Sequence, residues 1–108
     1  MNDYASIKES CLALLKEDAV LLSERYGVDA LGVFGSVARG EDKSASDINI
    51  LYHFADDRGD LEEFIGLKNH LELLFKREID LISCDYICEK KADNISHDVI
   101  FIFDRRGV

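Results

Sequence analysis

A mixed α/β (α+β) fold, with a sheet of about four strands covered by helices, is what the sequence predicts, and three observations lead there. Residues 47–54 alternate strictly, with Ile48, Ile50, Tyr52 and Phe54 on one face and Asp47, Asn49, Leu51 and His53 on the other. Short apolar runs at 28–34, 78–83 and 99–103 suit further strands. Between them lie stretches with apolar residues at helical spacing, and two of the connections between strands are long enough for a helical crossover.

Each element has its own warrant. Asn2 or Asp3 is placed to cap a first helix, whose inner stripe is Ile7, Cys11, Leu14, Leu15, Leu22 and Tyr26. Gly27 stands where a helix end commonly needs a left-handed residue. The strand 28–34 breaks at Gly35-Ser36, residues 37–39 open a short helix, and the polar, aperiodic stretch 41–46 is a loop. After the alternating strand, 56–60 is a polar turn, and Asp60 caps a helix that runs to about Lys76. Its inner stripe is Phe64, Leu67, Leu71, Leu74 and Phe75. The strand 78–83 follows, then a weaker helix over 85–96 and a last strand or apolar tail at 99–103.

Composition narrows the function classes. At 108 residues, one domain spanning 1–108 is expected. With 47% apolar and 32% charged residues the chain reads as globular. No apolar stretch approaches the roughly 18 residues a bilayer span needs. The N-terminal residues are interrupted by charge and lack a basic start, so a signal peptide is not expected. A formal charge of −9 argues against indiscriminate binding to duplex nucleic acid, which relies on Lys and Arg, and favours a basic protein partner. Cys11, Cys84 and Cys88 read as free thiols in a reducing cytoplasm, and His53, His70 and His97 have no ligand spacing.

The chemistry concentrates in Gly32 to Leu51. The chain turns through Gly35, whose missing Cβ lets backbone N–H groups approach a ligand closely, and Ser36 adds a hydroxyl at a helix start. Free N–H groups at the positive end of a helix dipole make a phosphate site, to which Arg39, one turn on, can add charge. Asp47 and Asn49 stand two apart on a strand and so project from one face, offering the oxygen ligands that Mg²⁺ prefers. Asp80, acidic between Ile79 and Leu81, is the expected third carboxylate, with Glu78 in reserve. Bland readings stand beside these: Arg39 can pair with Glu41 or Asp42, Asp80 can face solvent at an edge, and Glu62-Glu63 and Lys76-Arg77 read as solvated faces. The four tyrosines read as core or rim residues.

Gly35-Ser36, ten intervening residues and Asp47-Ile48-Asn49 resemble the motif of the DNA polymerase β-type nucleotidyltransferase superfamily. With Arg39-Gly40 and Ser46-Asp47-Ile48, the string is similar to its small prokaryotic branch, the minimal nucleotidyltransferases (MNT). The resemblance extends over essentially the whole chain. It implies that Gly35 and Ser36 hold the nucleotide triphosphate, that Asp47 and the residue at 49 bind Mg²⁺, and that Asp80 completes the cluster. It further implies a cytoplasmic antitoxin that transfers AMP from Mg²⁺-ATP to a tyrosine of a helical HEPN toxin partner. This sequence departs from the motif at Asn49, where an aspartate is expected. An amide oxygen still ligates a cation but brings no charge, so the outcomes to expect are weaker metal binding, a lower rate or loss of activity. The competing expectation is an antitoxin that neutralises its partner by binding alone. Transfer to a small molecule such as an aminoglycoside ranks below both, because those enzymes carry additional helical segments.

Overall fold

The computed structural model describes residues 4–86 and 99–106. Along the chain run α1 (Lys8–Tyr26), β1 (Val28–Phe34), α2 (Gly35–Arg39), β2 (Ile48–Phe54), α3 (Leu61–Phe75), β3 (Ile79–Ser83) and β4 (Ile100–Asp104). The four strands form one mixed sheet in the order β3-β2-β1-β4. β1 is antiparallel to both β2 and β4, and β2 and β3 are parallel, joined by the crossover through α3. The expected mixed sheet with helical cover is what forms.

The alternation in β2 sorts its residues as anticipated. Ile48 and Ile50 are buried against Leu31, Val33 and Ile79 of the neighbouring strands and against Cys11, Leu15, Leu22, Leu67 and Leu71 of α1 and α3. Fully burying a Leu or Ile contributes about 1.5–3 kcal/mol, so this layer is the main stabilising term. On the opposite face Ala30, Phe34, Leu51 and Cys84 form a smaller cluster, with Ile82 and Val99 packed on it. Asn49 and Asp80 share that second face, which leaves the apolar core intact while placing polar side chains on the sheet.

Helix ends follow local chemistry where it is strong. Gly27 ends α1 with φ +78° and donates its N–H to Ser23 O. Asp60 caps α3 by accepting from Glu63 N–H, and the Glu63 side chain returns the bond in a capping box. No helix among the described residues is long and apolar enough to cross a membrane.

Several expectations need correcting. The first helix starts at Lys8 after Ile7, with no side-chain cap, and Asn2 and Asp3 lie outside the described residues. The segment before it is held instead by the carboxylate of Asp42, a partner that no local rule reveals. β2 begins at Ile48, leaving Asp47 in the approach to the strand, and β4 is shifted by one residue from 99–103. Of the helix expected over 85–96, only 85–86 are described, as part of a helical turn at 84–86, and the rest, with Cys88 and His97, lies outside the described residues. Glu63 and Arg77 are not solvated: their side chains are 18% and 15% exposed because each is hydrogen-bonded in place. His53 and His70 each meet a carboxylate, Asp29 at 2.7 Å and Asp18 at 3.0 Å.

Candidate functional site

The site begins where β1 ends. Phe34 is extended, and Gly35 then takes φ +77° to start α2, a conformation that strains any residue with a Cβ. Space imposes the same requirement. A Cβ on Gly35 would lie 2.5 Å from Asn49 Nδ2, so the amide of Asn49 occupies the room that the glycine leaves. With Nδ2 turned to Gly35, Oδ1 is turned away from it. Ser36, half-buried, follows in a first turn that no side chain caps, so its leading N–H groups are not used by a capping side chain.

Strand register then assembles the remaining residues. Asn49 is paired with Phe34 across the antiparallel ladder and with Asp80 across the parallel one. Lateral neighbours in a sheet share a face, so Asn49 and Asp80 stand side by side, with the Gly35 turn against Asn49. Asp47, two residues before Asn49, borders an open cleft of about 360 Å³ that it shares with Ser44, Ser46, Lys76 and Arg77. Asp47 and Asp80 are both exposed, and neither has a hydrogen-bond or ion-pair partner among the described residues. A roomier cleft of about 460 Å³ lies at the other end of β2, between Tyr52, Phe54, Phe64 and Asp85. Gly35, Ser36, Asn49 and Asp80 are not among the residues that line it.

Arg39 is placed at the end of α2 with its Nε on Glu41 Oε1 at 2.7 Å, as the bland reading anticipated. Glu78 is also exposed, and its carbonyl accepts from Ile48 N–H at the start of the parallel pair. The Gly35-Ser36 turn, Asn49 and Asp80 are therefore brought together by the fold, and Arg39 stands exposed at the end of α2.

Asp42, whose place the sequence did not reveal, and Cys11, whose place it did, complete the surroundings. Asp42 is enclosed by Tyr4, Ser6 and Ile7, and Arg77 lies 3.5 Å from it. Enclosure pushes the Asp42 carboxyl up, but the hydrogen bonds from Ser6, Tyr4 and Ile7 N–H outweigh that and hold it below its ordinary 3.8. It lies near the surface, shielded by these partners rather than by depth. Cys11, in the core nearby, has its thiol pushed up to about 12, by burial first and by the Asp42 charge second, with Arg77 opposing. It is an inert core thiol.

The donor set can be tested against Mg²⁺, which takes oxygen ligands and is usually held by one or two carboxylates plus substrate phosphates. Asp47, Asp80 and the amide oxygen of Asn49 are such a set. Among the described residues no group of three or more His, Cys, Asp or Glu side chains is placed to hold a metal, and Asn49 offers an amide in place of a carboxylate. The chemistry fits, with one negative charge fewer than three carboxylates would bring.

Residues 19–106 match the nucleotidyltransferase domain family. The chain belongs to that family. This nucleotidyltransferase is 36% identical over 94 residues to protein adenylyltransferase MntA of Thermococcus cleftensis, covering 87% of this chain and 91% of the relative. A solved structure of a candidate minimal nucleotidyltransferase superposes with a TM-score of 0.69 at 31% identity, covering 84% of this chain and 92% of the other. The fold is also shared with a chain of the complex between the tri-AMPylated HEPN toxin and the MNT antitoxin of Shewanella oneidensis. There the TM-score is 0.58 and the identity 15%, over 88% of this nucleotidyltransferase and 74% of the other chain. The resemblance read from Gly35-Ser36 and Asp47-Ile48-Asn49 is thus a family relationship.

Proposed function

We propose that this nucleotidyltransferase transfers AMP from Mg²⁺-ATP to a hydroxyl, that of a tyrosine on a HEPN toxin partner, and so acts as an antitoxin in the cytoplasm. The reading takes residues 1–108 as one minimal domain that leaves recognition of the acceptor to the partner. The observation that carries it is the register that sets Asp80 beside Asn49 and Asn49 against the Gly35 turn. Support comes also from the relative that is a protein adenylyltransferase and from the fold shared with the complex of an AMPylated toxin.

In this reading the backbone of Gly35 and the hydroxyl of Ser36 hold the β- and γ-phosphates at the start of α2. Arg39, exposed at the end of α2 and paired with Glu41, adds charge to the phosphates. Asp47, Asn49 and Asp80 hold Mg²⁺, which when bound supplies positive charge at the α-phosphate. The tyrosine oxygen attacks the α-phosphorus in line, its bond forms as the bond to pyrophosphate breaks, and Asp80 takes the hydroxyl proton.

One observation favours a second reading, an antitoxin that binds without turnover: the residue beside Asp80 is the neutral Asn49. The −9 charge suits docking on a basic partner in either case. Incubation with Mg²⁺-ATP and a HEPN-domain protein, read by intact mass, separates them. An AMP-sized increment on the partner, lost in Asp47→Ala, is the expected result. A stable complex with no increment at high Mg²⁺ overturns catalysis in favour of binding.

A further inference from the structure

Asp42 is the one buried charged residue among the described residues, and its side chain has no exposed surface. Nothing in the chemistry above uses it. Its partners arrive from two distant parts of the chain. From the N-terminal segment, Tyr4 Oη donates to it at 2.5 Å, Ile7 N–H at 3.3 Å, and Ser6 Oγ donates as well. From the turn before β3, the guanidinium of Arg77 approaches to 3.5 Å. Arg77 also donates to Lys43 O at 3.3 Å and to Tyr4 Oη at 2.5 Å, and its guanidinium lies over the Tyr4 ring, 5.4 Å from the centroid.

The place of this cluster matters more than its size. Asp42 sits in the loop between α2 and β2, so it lies on the stretch of chain that joins Ser36 to Asp47. Arg77 precedes Asp80 by three residues. The loop is tied at both ends as well: Glu41 N–H bonds Ser36 O at 2.8 Å, Lys43 N–H bonds Ser46 Oγ at 2.8 Å, and Ser46 N–H bonds Lys43 O at 3.0 Å. One residue further, Ile48 N–H reaches Glu78 O at 3.0 Å and joins the loop to β3. A polar loop without periodicity is ordinarily mobile, whereas residues that act on a common substrate must be held within about half an ångström. Charge-assisted hydrogen bonds to an enclosed carboxylate supply that constraint.

We propose that Asp42 and Arg77 are positioning residues: through the loop 40–47 they fix Asp47 against the Ser36 turn on one side and against Asp80 on the other. The proposal rests on reading that edge as the nucleotide and metal site. Tyr4 serves as the strut between the two, accepting from Arg77 and donating to Asp42.

The test compares the full chain with Asp42→Asn, Arg77→Met, Arg77→Lys and Tyr4→Phe, by amide hydrogen exchange at 43–47 and by Mg²⁺-dependent binding of a non-hydrolysable ATP analogue. Asp42→Asn and Arg77→Met are expected to speed exchange at 43–47 and to weaken analogue binding, each by about tenfold or more. Arg77→Lys, which keeps the charge, recovers part of both, and in turnover the loss falls on the KM for Mg²⁺-ATP. Melting temperatures that fall while exchange at 43–47 and analogue affinity stay at the parent value overturn the proposal. Should Asp42→Asn fail to fold, Tyr4→Phe, which removes a single hydroxyl, carries the same test. A parent chain that binds no analogue sinks the functional reading, while unchanged exchange at 43–47 sinks the clamp on its own.

Discussion

Asp42 and the pair Asp47 and Asp80 are carboxylates in one small region of the molecule, and they are treated in opposite ways. Asp42 is closed off and accepts from a tyrosine, a serine and a backbone amide, with an arginine alongside. Asp47 and Asp80 stand exposed beside a neutral amide, with no partner among the described residues. A carboxylate whose lone pairs are filled by the chain is committed to structure, because moving it strands its partners. A carboxylate held in place but left with unfilled lone pairs is available to a cation or a proton. Asp60 lies between the extremes: it is exposed, yet its oxygen is used by the cap of α3.

The largest effect on Mg²⁺ affinity is expected from making the open edge more open to a cation. Asn49→Asp adds a negative charge beside Asp80 and two residues from Asp47. We expect Mg²⁺ binding to tighten by at least about tenfold, or about 1.4 kcal/mol, with transfer rising in step. Without metal the melting temperature should drop through like-charge repulsion, and Mg²⁺ should restore it. A variant whose stability ignores Mg²⁺ breaks the idea that these three positions share one ligand.

On stability, the larger effect concerns the closed carboxylate. Asp42→Asn should lower stability at pH 7 by about 1.5–3 kcal/mol, the range for hydrogen bonds to a charged group. The folded carboxyl lies below its ordinary 3.8, so its contribution is present above that value and is lost as pH falls through the folded one. Denaturation curves of the two proteins should therefore converge below about pH 4. A gap of constant size down to about pH 3 contradicts the assignment of charge to this network. The smallest effect is at Asp60. Asp60→Ala should cost about 1 kcal/mol in denaturant titration and leave ATP-analogue binding unchanged.

Legibility from sequence followed the range of the interactions. Gly27 at the end of α1, Asp60 at the start of α3 and the two faces of β2 depend on neighbours in the chain, and each could be read directly. The spacing of Gly35-Ser36 and Asp47 revealed the family because a turn and a strand approach in one ladder constrain a fixed length of chain. The start of α1 was misplaced because the residues before it bond Asp42, with Tyr4 reaching across 38 positions. Arg77 looked like surface charge for the same reason: its partners lie in the loop and the N-terminal segment, 34 and 73 positions away. Asp42 carries no local mark at all. A buried carboxylate in a polar loop is indistinguishable in sequence from its exposed neighbours.

The parallel pairing of β2 with β3 has a consequence for how the molecule comes into being. β1 can zip to β2 once the chain has reached Phe54, across a short connection. β3 joins only after Leu61–Phe75 has been laid over the sheet, since parallel strands cannot be linked by a tight turn. Asp80 is therefore the last of the three edge residues to arrive. The β1–β2 pair by itself holds the Gly35 turn, Asp47 and Asn49 but lacks Asp80. The edge is completed only when α3 has docked, which ties the birth of the site to the burial of Leu67 and Leu71.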